Sequence, residues 1–72
     1  MAGIIYPNIE QRREDLGVTK QRMGEKLGIS QQALANKLDG TSEFSAREVL
    51  TLSRWWGTSA DELLADAVIT EQ

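Results

Sequence analysis

The chain has 72 residues, a net charge of −3, one proline, and neither cysteine nor histidine. A chain of this length supports one domain, which buries only about 60% of its unfolded surface. The missing residue types exclude disulfide staples, thiol nucleophiles, ordinary zinc sites and imidazole acid–base catalysis. No metal, cofactor or small-molecule ligand is implied. The longest apolar run, Gly3-Ile4-Ile5-Tyr6, is too short for a membrane span or a signal-peptide core, so the expectation is a soluble cytoplasmic domain over residues 1–72. Charge is unevenly placed. Residues 11–37 carry six cations against three acids, whereas residues 38–72 carry Arg47 and Arg54 against seven acids.

In chain order, the pattern predicts five short helices. Pro7 suits a first helical turn, where its missing N–H costs nothing. Ile9 and Leu16 then mark an inward stripe that Gly17 ends. Thr19 caps a second helix, Lys20 to Leu27, with Met23, Gly24 and Leu27 inward and Gly28 as the stop. Ser30 caps a third helix to Leu38, with Leu34 and Leu38 on one face. Asp39 and Gly40 close it, and Phe44 is the expected anchor for the loop that follows. Ser45 with Glu48 three residues later reads as a capping box opening a fourth helix, along which Val49, Leu52, Ser53 and Trp56 recur at helical spacing. Gly57 ends it. Ser59 caps a fifth helix with Asp61 and Glu62 in its first turn and Leu63, Leu64 and Ala67-Val68 as its apolar side. Residues 69–72 are expected to fray.

Residues 20–39 form a unit. Two helices crossing steeply over a short turn need a small residue at the crossing, a glycine opening the turn, apolar inner faces and a polar outer face on the second helix. Gly24 and Gly28 meet the first two needs. Met23, Leu27, Ile29 and Leu34 line the inside, and Gln31, Gln32, Ala35 and Asn36 face out. A glycine inside a helix costs about 1 kcal/mol relative to alanine, and a crossing explains why one stands at position 24. Side-chain amides offer a donor and an acceptor together, which matches adenine N6 and N7 in a major groove, and an alanine can rest on a thymine methyl. Gln31, Gln32, Ala35 and Asn36 are therefore the expected base contacts.

Residues 19–40, TKQRMGEKLGISQQALANKLDG, resemble the helix-turn-helix of the phage-repressor and Cro family, also called the XRE family. The resemblance runs from Ile9 to Leu64, and its late GTSADELL segment is similar to that family's fifth helix. It implies an all-α, compact five-helix lambda-repressor-like DNA-binding domain with its helix-turn-helix at helices 2 and 3. It further implies a phage- or prophage-like transcriptional regulator, not an enzyme. The partner would be double-stranded DNA, read by recognition helix 31–38 at a two-fold symmetric operator, with the protein acting as a homodimer. Phosphate contacts are expected from Thr19, Lys20, Gln21, Ser30, Lys37, Gly40, Thr41 and Ser42, at helix N-termini and beside the base-reading face.

The sequence departs from the family pattern in three places. The family places an apolar residue where Lys37 stands and a glutamate where Leu38 stands, and that glutamate pairs with an arginine of the first helix. Arg13 holds the arginine position, and Asp39 is the expected substitute partner. The loop after the recognition helix, Thr41-Ser42-Glu43-Phe44, lacks the usual cations. Trp55 stands beside Trp56 but off the core stripe; it is expected with Leu64 in a dimer interface, or else partly buried against Tyr6 or the C-terminal tail. The competing function is a helix-turn-helix module that binds another protein, antitoxin-like or anti-repressor-like, which the acidic C-terminal half favours.

Overall fold

Four of the five helices begin where a hydroxyl accepts the N–H three residues on. The structure, a computed structural model, describes residues 2–71. Its elements are β1 (Ala2–Ile5), α1 (Pro7–Asp15), α2 (Lys20–Leu27), α3 (Gln31–Leu38), α4 (Ala46–Trp56), α5 (Ala60–Leu64) and β2 (Val68–Glu71). Thr19, Ser30, Ser45 and Ser59 accept from Arg22, Ala33, Glu48 and Glu62, each at 3.1 Å. At α4 the Glu48 carboxylate reciprocates by accepting the Ser45 N–H at 2.7 Å, completing the capping box. α1 uses Pro7 at its start instead of a side-chain cap.

Each helix then delivers one fully buried side chain to a common centre: Ile9, Met23, Leu34, Leu52 and Leu63, all at 0–1% exposure. Burying each stabilises the fold by roughly 1.5–3 kcal/mol against conformational entropy. Val49 and Phe44 complete the core, and the Phe44 ring lies 6.3 Å from that of Tyr6. Phe44 thus pins the loop between α3 and α4, as its place in the sequence predicts. The architecture is the five-helix array with a helix-turn-helix at α2 and α3 that the pattern implies.

The crossing of α2 and α3 depends on Gly24. A Cβ at this buried position would lie 3.1 Å from the Ile29 carbonyl oxygen and 3.8 Å from that of Ser30. The turn is closed by Gly28 at φ 72° and by the Ile29 N–H, which donates to the Gly24 carbonyl at 2.9 Å. Position 24 therefore lies against the turn backbone itself, where a methyl would be a tight contact and a larger side chain would not fit.

The ends of the molecule differ from the sequence expectation. The fraying tail is instead β2, paired antiparallel with β1 in the register Gly3↔Thr70, Ile4↔Ile69, Ile5↔Val68; Gln72 lies outside the described residues. α5 stops at Leu64, and Asp66 at φ 61° helps turn the chain away, so Ala67 and Val68 do not extend its apolar side. Leu16 is 49% exposed because α1 ends one residue before it. The Asn8 amide nitrogen donates to the carbonyls of Glu62 and Ala65, at 2.9 and 3.1 Å, and ties α1 to the end of α5. The Thr58 hydroxyl joins the same seam by donating to Glu62 at 2.6 Å.

Candidate nucleic-acid interface

α3 offers an amide-rich outer edge. Gln31 and Gln32 are exposed, and Ala35 and Asn36 are half-buried. The Gln32 amide donates to the Asn36 side-chain oxygen at 3.1 Å, so the two are aligned on one strip of the helix before any ligand is present. Gln31 and Gln32 also carry two of the first N–H groups of α3, which have no intrahelical acceptor. Ser30 occupies the next N–H, that of Ala33.

α2 presents a second N-terminus. Thr19 holds the Arg22 N–H, leaving those of Lys20 and Gln21 without intrahelical acceptors. Lys20 and Gln21 are exposed, and the partial positive charge of the helix end adds to the Lys20 ammonium. A chain of phosphates is the sort of anion this geometry accepts.

The loop after α3 is ordered by its own hydrogen bonds. The Thr41 N–H donates to the Asp39 carboxylate at 2.8 Å, and the Ser42 N–H donates to the Asn36 carbonyl at 3.1 Å. The Thr41 hydroxyl and backbone hydrogen bonds hold the Asp39 carboxyl below the usual carboxylate range. Thr41 and Ser42 are exposed, whereas Gly40 is buried at φ 89°. Of this expected phosphate trio, the two hydroxyl residues face solvent and the glycine shapes the turn between α3 and them.

Lys37 departs from expectation. Its ammonium lies 3.0 Å from the Glu48 carboxylate, donates to the Glu43 carbonyl at 2.9 Å and sits 5.9 Å from the centre of the Phe44 ring. Its side chain is only 15% exposed. It is turned into the junction of α3, the loop and α4. Burial pushes the Glu48 carboxyl up, but the Ser45 N–H and the hydrogen bond and charge of Lys37 outweigh it and hold the carboxyl below its ordinary value.

The expected Arg13–Asp39 pair does not form. Arg13 is bonded to Glu10, donates to the Val18 carbonyl at 2.7 Å and lies 3.9 Å from Glu14. Glu10 sits one turn earlier on the same helix, within easy reach of Arg13, while Asp39 is taken by Thr41. The two residues expected at a dimer interface are not side by side. Trp55 is half-buried, 5.6 Å from the Trp56 ring and 5.6 Å beneath the Lys26 ammonium, among Thr51 and Arg54. Leu64 is 38% exposed in a separate apolar groove with Tyr6, Val49 and Leu50. The groove was not visible in the sequence, because Leu50 falls off the α4 core stripe and the Tyr6 wall comes from the far end of the chain.

No protein-family model matches the sequence, and no curated protein matches it. The fold is similar to the crystal structure of a transcriptional regulator from Listeria innocua, with a TM-score of 0.77 over 93% of this chain at 18% identity. The match covers 61% of that chain, so the present chain spans about three fifths of its length. At this identity the likeness shows a shared fold. Among the described residues, no helix is long and apolar enough to cross a membrane.

Proposed function

We propose that the chain is a sequence-specific double-stranded DNA-binding regulator of the phage-repressor and Cro type that seats α3 in the major groove. One observation carries the reading: a short helix crossing its predecessor at a glycine, with Gln31 and Gln32 exposed at its start and Gln32 bonded to the half-buried Asn36 one turn on. Amides at the start of such a helix read base edges, and helix N-termini seat the flanking phosphates. In this reading Gln31, Gln32, Ala35 and Asn36 face bases, while Thr19, Lys20, Gln21, Ser30, Thr41 and Ser42 face the backbone, with Gly40 shaping the loop. Two copies bind two-fold related half-sites about one helical turn apart. The Leu50–Leu64 groove supports that pairing better than Trp55, because both leucines are exposed.

Selection from random duplexes tests the whole reading at once. A palindromic consensus is the expected result. On the selected site, Gln32→Ala costs about 1–3 kcal/mol against one base pair, while Lys20→Ala weakens all sequences alike. Failure to enrich any duplex, with retained folding, rejects the reading in favour of a protein-binding module.

A further inference from the structure

The contacts of Lys37 join the end of α3, the loop after it and the start of α4. Lys37 stands in the last turn of α3, its carbonyl partner Glu43 lies in the loop, and its ionic partner Glu48 lies in the first turn of α4. One oxygen of Glu48 accepts both the Lys37 ammonium and the Ser45 N–H, the point at which the loop becomes helix. The segment between these anchors carries Thr41 and Ser42. Its other end is fixed by the Ser42 N–H on the Asn36 carbonyl, one residue before Lys37. Lys37 and Glu48 are respectively 15% and 13% exposed, and the Phe44 ring lies beside the ammonium. An ion pair this shielded is held by geometry more firmly than a surface pair.

We infer that Lys37 and Glu48 form a clasp that fixes the 39–45 loop against the recognition helix, so that Lys37 is a positioning residue for DNA binding and makes no phosphate contact itself. The inference rests on the DNA reading for its consequence, though the clasp itself is a property of the free protein. Because the pair sets where Thr41 and Ser42 stand relative to Gln32 and Asn36, loosening it separates the phosphate grip from the base-reading edge. A supporting residue of this kind acts by keeping others within a fraction of an ångström of a productive position.

Two variants test the clasp. Lys37→Met keeps the apolar stem over Phe44 and removes the charge. Glu48→Gln removes the other charge while retaining an oxygen for the Ser45 N–H, since glutamine also completes a capping box. Each is expected to weaken binding to the selected duplex about tenfold. The double variant is expected to be no weaker than either single one, and the dependence of log affinity on log salt to stay at the wild-type slope. If Lys37 touches a phosphate, its loss makes that slope shallower by about 0.9, and Glu48→Gln tightens binding by freeing the ammonium. Either result overturns the inference. Hydrogen exchange of the free protein is the readout independent of DNA: the Thr41 and Ser42 amides should exchange faster in both variants, with those of α1 unchanged. Should the unaltered chain bind no duplex, the DNA reading fails on its own, and unchanged Thr41 and Ser42 exchange in Glu48→Gln then overturns the clasp separately.

Discussion

The α2–α3 unit and the seam that joins the two ends of the chain are held by different kinds of interaction. In the unit, every determinant lies within a few residues of what it determines: Thr19 and Ser30 cap their own helices, Gly28 turns the chain, and Gly24 meets a carbonyl five residues on. In the seam, Asn8 bonds carbonyls more than fifty residues away, and Ile4 pairs with Ile69. Local rules dictate the first region outright. The second exists only after the helices have packed, so the presentation of α3 should be insensitive to damage at the ends.

Gly24→Val is the most severe test of the unit. Its branched side chain enters the space of the Ile29 carbonyl, and a loss of about 2–3 kcal/mol in urea denaturation is expected. Gly24→Ala is much milder, because a helix gain of about 1 kcal/mol offsets the tight contact. Ser30→Ala removes the cap of α3 and should cost about 1 kcal/mol by the same measurement, together with weaker duplex binding. At the seam, Asn8→Ala removes two exposed hydrogen bonds and should cost about 0.5–1 kcal/mol while leaving duplex affinity unchanged. If affinity falls in step with stability, the two regions are not separable.

Acid probes the α3–α4 junction. The Glu48 carboxyl titrates lower in the fold than in the unfolded chain, so its contribution is fully present above the ordinary glutamate value of about 4.5 and is lost as pH falls through the lowered folded value. Glu48→Gln should flatten that part of the stability–pH curve, measured by denaturation at pH 3–7. The smallest effect is expected at the ribbon, where Ile69 is 70% exposed: Ile69→Ala should change stability by less than about 0.5 kcal/mol.

The same division explains what was legible in the sequence. Helix starts were readable because a hydroxyl followed by an N–H three residues on is a local signal, and all four expected caps form. Leu16 misled because it lies seven residues after Ile9, a helical interval, although α1 ends before reaching it. The strand at residues 68–71 has no meaning without its partner at residues 2–5, and neither Val68-Ile69-Thr70-Glu71 nor Ala2-Gly3-Ile4-Ile5 alternates apolar with polar residues to announce one. Lys37 was read as a phosphate contact because its partners lie six and eleven residues ahead across a loop, and its inward turn depends on where α4 packs. The amide-bearing edge of α3 was readable as a pattern, and the crossing that sets α3 on α2 was readable from Gly24 and Gly28.

The ribbon has a further consequence for the chain as an object. Because Ala2 stands opposite Glu71, the described ends of the backbone are neighbours, at about the 4.5–5.5 Å spacing of facing strand residues. A linker of a few residues joining positions 2 and 71 would close this part of the polypeptide into a ring without bending any helix, and new ends opened in the loop between α4 and α5 would leave the amide-bearing edge of α3 untouched.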